Sequence, residues 1–236
     1  MSSATRAMPA PVLEVFDPLR NQLIGIHERW ALYRHMFGSA EAHIDLLNRV
    51  AEVFFGYTQW AMYLDIILAL CRYTDPAESN PKKIGHRPNL TLDRLVNVVT
   101  ADDATFGGAL ASGEWDAVKQ WRDLHFEEIR SKRIAHNDLA KMVARFTGQP
   151  IGWPSREQVE RFLALCTDLM GKVHLHYVGC PFGFDGMAPD ARRNADTLLK
   201  VLAEFAERHD AEVLAGQRTW AIRPPKGFFG RPPTGK

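Results

Sequence analysis

The sequence predicts an all-α protein. Three observations carry that prediction. Apolar residues recur at three- and four-residue spacings, cap residues and prolines mark the ends of those stretches, and no run alternates polar with apolar residues as a strand does. Asp17 is placed to cap a first helix with Pro18 as its first residue, ending near Phe37 before Gly38. Ser39 opens the next segment, in which Leu46, Val50, Val53, Phe54, Tyr57, Ala61, Leu64, Leu68 and Cys71 form the apolar face of one long helix. Gly56 is a candidate bend, and Asp75-Pro76 forces the chain out of helix.

Residues 75–90 read as a polar connector holding Pro81, Gly85 and Pro88. Thr91 caps a short helix, Leu92 to Val99, and Asp102-Asp103 begins a short turn that Gly107-Gly108 breaks. Ser112 opens a long amphipathic helix carrying Trp115, Val118, Trp121, Leu124 and Ile129, ending near His136 where Asn137-Asp138 supplies turn chemistry. Residues 147–154 form a loop. Ser155 with Gln158 three residues on is a capping box opening a helix through Val178. After the Gly- and Pro-rich stretch 180–189, a last helix runs from Asp190 to about His209. From Gln217 the chain carries five basic residues, no acid and two Pro-Pro pairs, the composition of a solvated tail. There is no internal repeat.

Composition sets bounds on function. With 46% hydrophobic and 24% charged residues, the 236-residue chain can build a sizeable core. A formal net charge of +1 provides no global attraction to nucleic acid, which argues against an RNA-coating role and leaves RNA contact to a local patch. The first ten residues lack the apolar stretch of a secretory signal. Ala61 to Cys71, the most apolar stretch, is interrupted by Asp65 and is about half the ~20 residues of a membrane span. Cys71, Cys166 and Cys180 show no CxxC spacing, so neither a disulfide framework nor a zinc site is expected, and a cytoplasmic location fits.

Most chemical signatures are missing: no phosphate-cradling glycine loop before Lys-Ser/Thr, no GxSxG and no HExxH. His174 and His176 lie two apart on a helix, so their imidazoles point about 200° apart and do not converge on a metal. No metal or other cofactor is expected. The segment from Arg130 to Asp138 differs. It sets Arg130, Lys132, Arg133 and His136 at a helix end, followed by Asn137 and Asp138. A histidine can move the 2′-hydroxyl proton of RNA or protonate the leaving oxygen near neutral pH. An arginine can hold the phosphate and stabilise the charge that develops on it. By spacing alone, the plainer and favoured reading is that the same residues complement the helix dipole.

Several ordered blocks carry a resemblance. Ile44-Asp45-Leu46-Leu47-Asn48, Phe54-Phe55, and Leu64 to Leu68 leading into Arg72-Tyr73-Thr74-Asp75-Pro76 form the first; Asn89-Leu90-Thr91-Leu92 the second; Arg130 to Asp138 the third. Over roughly Asp17 to Leu139 the chain resembles the AbiU-type abortive-infection branch of the HEPN superfamily, whose pattern is an arginine, four to six residues, then a histidine. Arg130 and His136 fit with five residues between them. The resemblance implies a HEPN-like helical bundle, placed at residues 12–146; the residue pattern adds a helical extension packed on it at 155–215 and a flexible basic Pro-rich tail at 216–236. It implies a homodimer whose two arginine–histidine motifs share a cleft, RNA as substrate, and an endoribonuclease of phage defence or of a toxin–antitoxin system with an antitoxin protein as partner. No membrane partner is expected. In that scheme His136 is the acid/base or phosphate contact and Arg130 the oxyanion clamp. Lys132 and Arg133 touch the RNA backbone, and Asn137 and Asp138 orient the histidine. Two positions depart from the pattern. Ser131 stands where active members commonly carry Asn, Asp or His, and Asp138 stands where some toxins carry a tyrosine modified by their antitoxin. A non-catalytic HEPN-fold module that binds a nucleotide or a partner protein stays open beside the enzyme, as does a purely structural helix end.

Asp65 and Arg72 lie seven apart on the long helix, on one side and about 10 Å apart along its axis. Both are expected to be partly buried, with Asp65 pairing to another helix and Arg72 bracing the Thr74-Asp75 turn; positioning of the Arg130–His136 segment is the functional alternative. The six tryptophans are expected in core or interface packing rather than in base stacking.

Overall fold

The structure, a computed structural model, describes residues 7–78, 88–127, 153–186 and 188–214. It is all-α: apart from an isolated bridge between Glu78 and Pro88, the described residues form helices and their connections. The helices are α1 (Ala10–Gly38), α2 (Glu41–Tyr73), α3 (Leu92–Asp102), α4 (Ala104–Leu110), α5 (Asp116–His125), α6 (Arg156–Val178) and α7 (Ala188–Leu214), with a π-helical turn, Ala111–Trp115, joining α4 to α5.

Contacts divide the chain into two compact units. The first gathers the described residues up to Ile24 and those between Ile67 and Phe184; the second gathers Gly25–Ile66 and the described residues from Asp185 onward. In the first unit the start of α1 supplies Val12, Val15, Phe16, Leu19 and Leu23 to the core, all at most 7% exposed. This row explains why α1 begins at Ala10 and not at Asp17. Its apolar period runs upstream through Pro18, whose ring sits on the exposed side, where a lost backbone bond is easily hydrated. Asp17 forms an ion pair with Arg20 at 2.9 Å inside the helix instead of capping it. The Tyr73 hydroxyl, fully buried at the end of α2, donates to the Leu19 carbonyl at 3.2 Å.

Thr91 caps α3 as its sequence predicts, its side chain accepting from the Arg94 amide. Asp103 accepts from the Thr105 and Phe106 amides at 3.1 and 2.9 Å and starts α4. That helix runs straight through Gly107-Gly108, the expected break. The reason is close approach: a Cβ on Gly107 would stand 2.3 Å from the Thr100 Cα, whereas one on Gly108 would meet nothing within 4 Å. Gly107 is thus a contact point between α3 and α4. The connector between α2 and α3 is pinned at both ends, with the Asn89 amide donating to the Ala77 carbonyl at 2.8 Å and the Ala77 amide to Asp93 at 2.8 Å.

In the second unit, Ile26, Trp30, Tyr33, Met36 and Phe37 of α1 are buried, as are Leu47, Phe55, Tyr63 and Ile66 of α2 and Ala195, Leu199 and Ala206 of α7. Tyr33 is central, with ring centroids of Trp30, Phe37 and Tyr63 at 5.4, 5.7 and 5.6 Å. The expected apolar face of α2 is rotated. Ala51 has φ −161° and ψ 70°, an extended residue that kinks the helix five positions before Gly56 and resets its phase. In consequence Val53, Phe54, Tyr57 and Trp60 lie 42–64% exposed. By length and composition α2 is also long and apolar enough to cross a membrane, and 28% of its most apolar stretch is buried within the protein.

Candidate active site

Arg130, Lys132, Arg133, His136, Asn137 and Asp138 lie outside the described residues. The structure does describe the two helices that lead into and out of that segment, both within the first unit. α5 ends at His125, five residues before Arg130, and its last residues are tied down from three directions. The Arg122 guanidinium donates to the Thr74 carbonyl at 2.6 Å. Phe126, fully buried, packs its ring 4.5 Å from Phe162. The Trp121 indole N–H donates to the Gln158 carbonyl at 3.1 Å. Leu124, expected on the apolar face, is instead 74% exposed, and Phe126 occupies the core position at the helix end.

Gln158 organises the start of α6. Its side-chain oxygen accepts from the Ser155 amide at 2.7 Å while its own amide donates to the Ser155 hydroxyl at 3.1 Å, the reciprocal capping box expected of this pair. Because its oxygen faces Ser155, its NH₂ group faces His125 and donates to Nδ1 at 2.9 Å. His125 therefore carries an N–H at Nε2. Trp121 and His125 sit in ring contact at 4.3 Å. Trp121 forms a wall of an open cleft of about 660 Å³, which Ser155, Glu157, Gln158, Glu160 and Arg161 also line. Sequence reasoning saw Gln158 as a cap and Trp121 as packing; their link to each other and to His125 spans 33–37 residues and has no sequence signal.

Asp65 pairs with another helix, as anticipated: it meets Arg29 of α1 at 2.9 Å. Neither Asp65 nor Arg72 is buried, contrary to expectation; both stand exposed. Nor does the Arg72 side chain brace the Thr74 turn. That carbonyl takes its side-chain bond from Arg122, and the Thr74 hydroxyl donates back to the Leu70 carbonyl at 2.9 Å. An exposed arginine at this position would gain little from a turn already satisfied.

The other candidate side chains have settled partners. His174 turns its Nδ1 to the Cys180 backbone carbonyl at 2.9 Å, not to the thiol, and lies near the Phe16 and Phe182 rings. His176 stacks on Phe106 at 3.7 Å and faces Asp103 at 3.4 Å, so the two imidazoles diverge. Burial pushes the Cys166 thiol far above its ordinary value, which removes it as a nucleophile. Burial likewise lowers the pKa of His27, against the opposing charge of Asp185.

The family model of AbiU2, a HEPN family, matches residues 10–198. The chain belongs to the HEPN AbiU2 family. That span covers most of the chain, includes Arg130 and His136, and extends past Leu139 through α6 into α7. Membership makes the protein an abortive-infection-related HEPN module. No curated protein and no solved structure matches the chain.

Proposed function

We propose that this HEPN AbiU2 protein is a metal-independent endoribonuclease of a phage-defence or toxin–antitoxin system, acting in the cytoplasm as a homodimer. The observation that carries the reading is the Arg130–His136 spacing inside the family match. His136 takes the 2′-hydroxyl proton or gives a proton to the departing 5′-oxygen, while Arg130 neutralises the charge that builds on the phosphate. Lys132 and Arg133 hold the flanking RNA backbone, and Asn137 and Asp138 orient the imidazole. None of these steps calls for a metal, because the acid, the base and the electrostatic clamp all come from side chains. The anchored end of α5 supports the scheme, because the described chain leads toward Arg130 from residues held by the Thr74 carbonyl and the Phe162 ring. The exposed row of Val53, Phe54, Tyr57 and Trp60 supports the dimer, since patches of this kind commonly mark protein contacts. Asp65 and Arg72 are more distant supports, and an antitoxin protein is the expected regulator.

The test is cleavage of RNA by the purified full-length chain in the presence of a chelator, with Arg130→Ala and His136→Ala beside it. Each variant is expected to lose about 100-fold or more in rate. Undiminished cutting by both would remove the assigned roles. Ser131 favours a second reading, a HEPN module that binds nucleotide or partner protein without cleaving. Absence of any cleavage together with harmless expression in a host would select it.

A further inference from the structure

The cleft beside α5 and α6 has the parts of a base-binding subsite. Trp30 and Trp115 are spent on packing, 6% and 5% exposed. Trp121, by contrast, is half-buried and forms a cleft wall. Its polar edge is already satisfied by the Gln158 carbonyl, so the aromatic surface is what it can offer a ligand. The ring is also held in place. Gln158 is bonded to Ser155 through both its side chain and its amide, and to His125 through its NH₂ group, while His125 packs on the indole. A platform fixed before binding loses little freedom when a ligand arrives. The cleft is open to solvent and leaves about 660 Å³ of space beside the ring. Arg161 offers a phosphate contact and Glu157 a carboxylate acceptor, both exposed on its border.

We propose that one unpaired base of single-stranded RNA stacks on Trp121, with an adjacent phosphate at Arg161 and the Glu157 carboxylate accepting from an exocyclic amino group. Single-stranded RNA is recognised by splayed bases stacked on aromatic side chains and read along their edges. A carboxylate placed at the exocyclic position accepts from the amino group of cytosine, adenine or guanine, where uracil presents only carbonyl oxygens beside its N3–H. The inference deepens the ribonuclease reading and rests on it for the choice of RNA as ligand.

Binding tests this apart from cleavage. Fluorescein-labelled A12, C12 and U12 oligoribonucleotides are titrated by anisotropy into the full-length chain carrying His136→Ala, which stops turnover. Added Trp121→Leu is expected to weaken binding roughly 5- to 150-fold, whereas Trp121→Phe, which keeps a stacking ring, stays within about 3-fold. Arg161→Gln lies on the exposed rim and keeps the fold; it should reduce the slope of log affinity against log salt by about 0.7. Glu157→Gln should narrow the preference of A12 and C12 over U12. Equal binding by parent and Trp121→Leu, equal losses in the Leu and Phe variants, or no oligoribonucleotide binding would each overturn the proposal. Failure of the nuclease reading looks different: no His136-dependent cutting, with the Trp121 dependence of binding intact.

Discussion

α2 and α6 are both long helices rich in apolar residues, and they use those residues in opposite ways. α6 has 23 residues, is capped by Ser155 at its start and by the left-handed Gly179 (φ 77°) at its end, and buries Val159, Phe162, Leu163, Cys166, Leu169, Met170, Val173 and Tyr177. α2 has 33 residues, is kinked at Ala51, and leaves Phe54 and Tyr57 64% and 59% exposed. Composition alone ranks α2 as the more core-like helix; phase and context reverse the order. A helix buries what its phase presents to a neighbour, and one extended residue is enough to turn an apolar stripe outward.

The sharpest way to break this contrast is a matched pair of truncations. Phe162→Ala in α6 should cost about 3–5 kcal/mol in chemical denaturation, as expected for a fully buried aromatic against Phe126. Phe54→Ala in α2 should change stability by about 0.5 kcal/mol or less at a protein concentration too low for self-association. Similar losses at the two sites would refute the assignment of inner and outer faces. A smaller effect probes the ends of α6. Gln158→Ala removes half of the capping box and the partner of His125, and should lower stability by about 1–2 kcal/mol, read from the denaturant midpoint. The smallest effect concerns the Arg29–Asp65 pair, whose side chains are 43% and 53% exposed. A double-mutant cycle with Arg29→Ala and Asp65→Ala should give a coupling of about 0–1 kcal/mol; a coupling well above that range would mean that the pair is a buried structural tie after all.

Much of the first unit was legible in the chain itself. Ser155 and Gln158 set the start of α6 and Thr91 the start of α3, because caps are short-range and depend on a few residue types. Three features were not. Pro18 sits within α1 because Val12, Val15 and Phe16 reward helix upstream of it, a tertiary effect that overrides the local signal. Gly107 reads as a breaker until Thr100 is seen against it. The kink at Ala51 carries no glycine or proline to announce it. Of the candidate site, Arg130 and His136 stand out only through the resemblance to the family pattern, and they lie outside the described residues. The bracket of Trp121, His125 and Gln158 was not legible, because a hydrogen bond between helices 33 residues apart leaves no pattern in either one.

The π turn at Ala111–Trp115 reaches further than its five residues suggest. A wide turn accommodates one more residue than an α-helical turn, and each residue of helix advances about 100° around the axis. Every side chain downstream is therefore indexed by that insertion: Val118 toward the core, Trp121 toward the cleft wall, Arg122 toward the Thr74 carbonyl. Winding the same residues as regular α-helix would swing the indole about a quarter-turn, whereas deleting one residue along with the wide turn would leave it where it stands. The aim of the platform is written six residues before the platform begins.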